Sequence, residues 1–138
     1  MTEERRQIRE AMRALCDKFD DDYWLHKENN HEFPHAFRKA VAAEGWLGIT
    51  MPEEYGGAGL GVTEAALLMQ TVAQSAGAIS ACSTFHINLF GPHPVLLYGT
   101  EEQKRTIIPR LISGEDMVAF GVTEPDAGLD TTRITTRA

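Results

Sequence analysis

The chain has 138 residues, of which 43% are hydrophobic and 24% are charged, and its net charge is −7. This composition is typical of a globular domain that is long enough for a core of its own. The acidic balance argues against general nucleic-acid binding, which needs a basic face. No apolar run approaches the roughly 20 residues of a membrane span, and the charged residues from Glu3 onward are unlike a secretory signal.

The two cysteines, Cys16 and Cys82, lie far apart in the sequence. Their spacing suggests neither a metal-binding pair nor a disulfide framework. Buried free thiols are the better interpretation, and they agree with a reducing, cytoplasmic location.

The first part of the chain predicts two helices separated by a turn and a loop. Residues 2–19 carry one apolar stripe at helical spacing. An aspartate cap at Asp21 or Asp22 and a short turn at 23–25 follow, and residues 26–33 have the polar composition of a loop. Residues 34–44 form the next helix, and Gly45 suits the position that follows its C-cap.

The loop contains a misleading motif, because His31-Glu32-Phe33-Pro34-His35 matches the zinc-protease pattern H-E-x-x-H. That chemistry requires both histidines on one unbroken helix. Pro34 disfavours helical backbone at Phe33 and is well placed to begin the next helix. The sequence therefore predicts no metal site here.

The second part predicts further helices at 64–75, 78–90 and 100–112, with a short turn at 95–98. Thr63 is the predicted cap of the first, and Thr100 with Gln103 forms a capping box for the last. The glycine-rich stretch 51–61 lacks both nucleotide-binding fingerprints and is interpreted as a tight loop. The predicted fold class is all-α, with about five or six helices.

The last stretch predicts one β-strand, because Met117 to Val122 is a short apolar run that Pro125 and Gly128 then terminate. A lone strand leaves its backbone groups unsatisfied. We therefore expect its partners to come from residues after Ala138 or from another molecule. The predicted organisation is a helical domain at 1–115 and the start of a β domain at 116–138.

The stretch Val122-Thr123-Glu124-Pro125-x-Ala-Gly-x-Asp130 resembles the flavin-contacting signature of the acyl-CoA dehydrogenases. Four other segments match that family's pattern in the expected order, so the resemblance covers nearly the whole chain. They are 45–49, 52–57, 98–104 and 109–115. The resemblance implies the family's amino-terminal helical domain followed by the entrance of its middle β domain.

Members of this family bind FAD and oxidise an acyl-CoA thioester to the trans-2-enoyl-CoA. A carboxylate base takes the α proton while the β hydride passes to flavin N5. The resemblance places that base beyond residue 138, so no catalytic residue is assigned within the chain, and Glu124 belongs to the loop scaffold. It also implies an electron-transfer flavoprotein or similar acceptor as a partner, and a homo-oligomer.

The resemblance implies cofactor contacts at Phe120, Val122, Thr123, Gly128 and Leu129. The Thr123 hydroxyl and backbone would address the N5/O4 edge of the flavin, where a donor steadies developing negative charge. Gly128 allows the backbone to approach the cofactor. Leu129 departs from the pattern, which has a serine that reaches the FAD pyrophosphate, and its side chain cannot donate a hydrogen bond.

The stretch containing Phe85, His86, Leu89 and Phe90 matches the region that bounds the acyl chain in this family. The implied role of these residues is substrate binding, although plain core packing is equally compatible with each of them. The bulk of Phe85, His86 and Phe90 favours short or branched acyl groups.

A second interpretation belongs to a different functional class: a non-catalytic helical interaction module derived from the same family. Leu129 and the missing base favour this interpretation. The intact Val122-Thr123-Glu124-Pro125 favours the enzyme.

Overall fold

The regular structure of residues 1–137, the part of the chain that this computed structural model describes, consists of eight α-helices and three 3₁₀ turns. The helices are α1 (Glu3–Cys16), α2 (Asp21–Asn29), α3 (His35–Ala43), α4 (Val62–Ala73), α5 (Ala78–Ser83), α6 (His86–Phe90), α7 (His93–Tyr98) and α8 (Glu101–Ser113). The 3₁₀ turns span Trp46–Gly48, Glu53–Tyr55 and Thr131–Arg133. The predicted all-α fold class is confirmed.

The main core lies between α1 and α4, which pack along each other. The apolar stripe of α1 is buried at Met12 and Leu15, and α4 contributes Leu68 from the other side. An ion pair between Arg5 Nε and Glu64 Oε1, 2.8 Å apart, joins the two helices at the edge of this contact. Helix α4 begins at Val62 and its N-cap is Gly61, so the prediction that Thr63 caps this helix was wrong.

Helix α2 is longer than predicted, because it includes residues 26–29 of the expected loop. Asp20 provides the cap, and its Oδ1 accepts a hydrogen bond of 2.9 Å from the Tyr23 N–H. The helix is fixed by Trp24, which is buried and packs edge-on against Phe37 of α3 with ring centroids 5.1 Å apart. Residues 26–29 are polar because most of them face solvent, and this composition alone could not be distinguished from that of a loop.

His31 and His35 do not share a helix. His31 has a left-handed φ of +53° in the turn after α2, whereas His35 is the first residue of α3, directly after Pro34. This is the break that Pro34 predicted.

A second, smaller core lies between α8 and the turn at Glu53–Tyr55, where Met51, Tyr55 and Ile108 are buried together. The predicted capping box begins α8. Thr100 Oγ1 accepts a hydrogen bond from Gln103 N–H at 3.2 Å, and Gln103 Oε1 accepts one from Thr100 N–H at 2.8 Å. Gly45 adopts a positive φ of 80° directly after the end of α3, as predicted.

The predicted strand at 117–122 does not form a ladder within residues 1–137, where this stretch has no regular secondary structure. The physical reason is that a strand needs a neighbour to bond with. The predicted helix 78–90 is also different, since it is divided into α5 and α6 at Thr84–Phe85. Ser83 and Thr84 direct their hydroxyls to the carbonyls of Ile79 and Ala81, a competition that disfavours continuous helix.

Cys16 and Cys82 are buried free thiols, as predicted. Burial raises the pKa of both thiols. Across residues 1–137, no helix combines the length and the hydropathy that crossing a bilayer would require.

We expect the substitution Leu68→Ala to lower the free energy of unfolding by about 3 kcal/mol, because it leaves a cavity at a fully buried position. Leu25→Ala is the matched control: Leu25 is 59% exposed on α2, and the expected loss is below about 0.5 kcal/mol. Urea unfolding followed by circular dichroism measures both. Equal losses would contradict the assignment of the main core to the interface of α1 and α4.

Candidate functional site

The predicted substrate-binding residues lie on α6 and at its N-cap, and they differ in burial and in the surface that they line. Phe85, at the break before α6, is only 1% exposed and belongs to the main core. Leu89 and Phe90 instead line a cleft. His86 is half-buried, and its ring lies 5.8 Å from that of Phe90. His86 Nδ1 is buried without a hydrogen-bond partner among the described residues.

The cleft beside α6 has a volume of about 560 Å³ and mainly apolar walls. It is bounded by α6, α7, the first half of α4 and the loop before α4. Its walls are formed by Thr50, Met51, Leu60, Val62, Ala65, Ala66, Met69, Leu89, Phe90, His93 and Leu96. An apolar cleft with a few polar groups is the usual form of a site for a small ligand with a hydrocarbon part.

On its other side, α6 meets the extended segment 116–123. The ring of Phe120 contacts that of Phe90 edge-on, with centroids 5.6 Å apart. Val118 packs against Gly91 so closely that a Cβ on Gly91 would lie 2.7 Å from Val118 Cγ1. Thus the structure brings together Phe90 and Phe120, which the sequence assigned to two different ligands.

The segment has no ladder partner within residues 1–137. Val118 and Val122 are half-buried, whereas Met117, Ala119, Phe120 and Thr123 are exposed. No backbone N–H from residue 117 to residue 123 donates to another backbone group of the described chain. These donors, together with the exposed hydroxyl of Thr123, are therefore available to a ligand or to another strand.

Glu124 closes the loop that follows. Its two carboxylate oxygens accept hydrogen bonds from the N–H groups of Thr135 at 2.9 Å and Thr136 at 2.8 Å, and from both hydroxyls. The hydroxyl of Thr136, followed by the two N–H groups, lowers the pKa of Glu124 to about 2. An acid held in this way is a poor proton acceptor at neutral pH.

The tip of this loop carries the two remaining predicted cofactor-binding residues. Leu129 is fully exposed, and no atom of the described residues comes within 4 Å of a Cβ built on Gly128. Gly128 does not have a positive φ, so backbone strain does not explain the glycine. Within the described residues, no contact at Gly128 requires a glycine.

The sequence did not reveal three contacts that shape this site. They are the contact of Gly91 with Val118, the contact of Glu124 with Thr135 and Thr136, and the burial of Arg38 beside the end of α8. Only Arg38 left a signal, because it lies next to Phe37 on the apolar face of α3. The other contacts join residues far apart in sequence and have no local pattern.

The sequence of residues 2–115 matches the family description "Acyl-CoA dehydrogenase, N-terminal domain". The chain belongs to the acyl-CoA dehydrogenase family. An acyl-CoA dehydrogenase of Mycobacterium tuberculosis is 34% identical over 137 residues, which are 99% of this chain and 35% of that relative. The chain therefore spans about a third of the length of the curated relatives it matches first.

Solved structures of acyl-CoA dehydrogenases share this architecture. A glutaryl-coenzyme A dehydrogenase in complex with glutaryl-CoA superposes with a TM-score of 0.86 at 28% identity, covering 98% of this chain and 35% of that one. An acyl-CoA dehydrogenase of Bacillus anthracis complexed with FAD superposes with a TM-score of 0.79 at 32% identity, covering 96% of this chain and 22% of that one. The likeness thus includes the extended segment as well as the helices.

We expect Gly91→Ala to lower the free energy of unfolding by about 1–2 kcal/mol, because the new methyl group overpacks against Val118. A Cβ on Gly91 would lie equally close, at 2.7 Å, to the carbonyl oxygen of Ile87, so the double variant, and not the sign alone, identifies the contact with Val118. Gly121→Ala is the control, since nothing lies within 4 Å of a Cβ there. Urea unfolding of the double variant Gly91→Ala/Val118→Ala should recover part of the loss, and no recovery would contradict this packing.

We expect the amide resonances of Thr135 and Thr136 to titrate with the Glu124 carboxylate, whose pKa falls from 4.5 to about 2 in the folded chain. A lowered pKa means that the contact stabilises the loop fully above about pH 4.5 and loses this effect as the pH falls towards 2. NMR titration in Glu124→Gln should abolish the shared transition. Asp126→Asn, a change at an exposed acid of the same loop, should leave it intact. A transition near pH 4.5 in the unsubstituted protein would refute the carboxylate contacts.

Proposed function

We propose that this chain is the helical part, with the flavin-facing segment, of an FAD-dependent acyl-CoA dehydrogenase. The enzyme oxidises an acyl-CoA thioester to the trans-2-enoyl-CoA. The observation that carries the proposal is the contact of Phe90 with Phe120, at 5.6 Å between ring centroids. This contact joins the helix that would bound the acyl chain to the segment that would face the flavin. Residues 1–115 are the helical domain in this proposal, and residues 116–138 begin a β domain.

The exposed groups of the segment fit a flavin ring. Between residues 117 and 123 the backbone N–H groups have no backbone acceptors in the described chain, and Thr123 adds an exposed hydroxyl. Phe120 is 58% exposed and offers an aromatic edge beside these donors. Such donors stabilise negative charge that grows on an acceptor during a reaction. Bound FAD supplies the hydride acceptor for the β carbon of the substrate.

The role proposed for each predicted cofactor-binding residue follows from its position. Phe120 and Val122 would line the ring, and Thr123 would donate to its polar edge. Gly128 and Leu129, at the exposed loop tip, would contact the pyrophosphate through backbone groups. Because leucine cannot donate from its side chain, Leu129 would make one hydrogen bond fewer to the pyrophosphate than a serine would make.

The acyl group would lie along α6, with Leu89 and Phe90 at the wall of the apolar cleft. His86 would close the floor beside Phe90, and Phe85 would support the wall from within the core. These bulky side chains favour a short or branched acyl group. The role proposed for this part of the chain is to bind and orient the substrate and to exclude water.

Glu124 is not the base of the proposed reaction. Its carboxylate is occupied by Thr135 and Thr136, and a pKa of about 2 makes it a weak proton acceptor. We place the base that removes the α proton outside residues 1–138. An electron-transfer flavoprotein or a similar acceptor would reoxidise the flavin, and a cytoplasmic homo-oligomer is the proposed form of the enzyme.

A second candidate function is a helical interaction module without a cofactor. It is favoured by Leu129, a fully exposed apolar side chain at the loop tip. A protein–protein contact would bury such a side chain, whereas a pyrophosphate would gain nothing from it.

The experiment that tests the proposed function is purification of the protein from its complete natural reading frame, followed by absorbance spectroscopy and anaerobic addition of butyryl-CoA or isobutyryl-CoA. A yellow protein whose flavin band bleaches on addition is the expected result. A colourless protein that takes up no added FAD would favour the interaction module instead.

We expect Thr123→Val to slow flavin reduction about 100-fold, the usual effect of removing one donor from a site of developing charge. Thr106→Val is the matched control, since Thr106 is exposed on α8 and outside the proposed site. Rapid-mixing absorbance in the flavin band measures both rates. Equal rates in the two variants would exclude the Thr123 hydroxyl from the reaction.

A further inference from the structure

Arg38 is a buried charged residue that the proposed chemistry leaves unexplained. It lies in the middle of α3 and is only 5% exposed. Burying a guanidinium is costly unless its donors are satisfied, and burial lowers the pKa of Arg38. Contact with solvent therefore does not explain why an arginine occupies this position.

The partners of Arg38 are backbone carbonyls at the end of α8. One terminal nitrogen donates to the Gly114 carbonyl at 3.3 Å, and the other donates to the Asp116 carbonyl at 3.1 Å. The third nitrogen, Nε, is buried without a hydrogen-bond partner among the described residues. The Gly114 carbonyl, at the C-cap of α8, lies at the negative end of the helix dipole, where a cation is favourable. Because the guanidinium is planar and rigid, its two hydrogen bonds fix the carbonyls of Gly114 and Asp116 relative to each other.

Arg38 forms no ion pair within residues 1–137. The acids of the junction pair with Arg110 instead, whose Nη1 lies 3.0 Å from Glu115 and whose Nε lies 2.6 Å from Asp116. Charge neutralisation therefore does not explain Arg38. Arg38 differs from Arg110 in that it donates hydrogen bonds to backbone carbonyls at the point where the chain leaves α8.

We propose that Arg38 is a positioning residue that sets the path of residues 116–120 and so places Phe120 against α6. Beyond Asp116 the segment donates no backbone hydrogen bond until Glu124 within the described chain. Its path depends on contacts at three points: residue 116, where Arg38 holds the carbonyl and Arg110 the carboxylate, residue 118 at Gly91, and residue 120 at Phe90. Phe120 follows residue 116 closely in the chain, and no backbone N–H between them donates to a backbone acceptor of the described residues. A displacement at residue 116 should therefore carry over to Phe120.

The consequence of Arg38 for catalysis rests on the proposed function, whereas its effect on the path of the segment does not. A displacement of about 1 Å at a reacting group is enough to lower kcat about 100-fold. Loss of Arg38 should therefore lower kcat more than it raises KM, because Arg38 does not line the acyl cleft.

The test uses the protein from its complete natural reading frame, labelled with 4-fluorophenylalanine and studied by ¹⁹F NMR without added flavin or substrate. Phe120→Leu assigns the Phe120 signal, and Phe90→Leu measures how far the neighbouring ring shifts it. Arg38→Met and Arg38→Gln remove the guanidinium and its buried charge, and glutamine keeps an amide donor for one of the two carbonyls. Lys39→Met removes a neighbouring exposed charge and is the matched control.

We expect the Phe120 signal in both Arg38 variants to move towards its position in Phe90→Leu, while Lys39→Met leaves it in place. A folded Arg38→Gln or Arg38→Met protein with an unchanged Phe120 signal, still sensitive to Phe90→Leu, would overturn the proposal. If Arg38→Met does not fold, Arg38→Gln decides alone. An unsubstituted protein that binds no flavin would defeat the proposed function, yet the NMR comparison would still decide the role of Arg38.

Discussion

The crossing of the extended segment over the end of α6 is the constraint on which the candidate site depends. Gly91 has no side chain, so Val118 can lie directly on the helix end. Phe120 then meets Phe90. Without this crossing, the residues that resemble flavin contacts and those that resemble acyl contacts would belong to unrelated surfaces. The helices behind α6 act as the rigid support that a precise site requires.

Local electrostatics hold the two ends of the segment. At its start, Arg110 pairs with Asp116, and hydrogen bonding from the guanidinium lowers the pKa of that carboxyl. At its end, Glu124 is held by hydroxyl and amide donors. Both contacts are exposed to solvent to some degree, so each contributes more to geometry than to overall stability. Between these two ends, the backbone N–H groups of residues 117–123 donate to no backbone acceptor of the described chain.

The parts of the fold that were predicted correctly depend on neighbours in sequence. The capping box at Thr100 needs only a residue three positions later, and the stripe of α1 needs only helical periodicity. The errors arose where distant contacts decided the outcome. Trp24 fixes a polar helix that looked like a loop, and the buried Phe85 marks a break in a helix that looked continuous.

The sequence by itself determined the family, the all-α class and the residues offered to a cofactor and a substrate, because motifs, caps and periodic stripes are local in the chain. Only the tertiary structure decided which of those residues meet. It placed Phe85 in the core and Phe90 against Phe120. It also joined Arg38 to a carbonyl 78 residues away. Such contacts depend on how helices pack, and packing satisfies shape and hydrogen bonding over distances that no sequence pattern records.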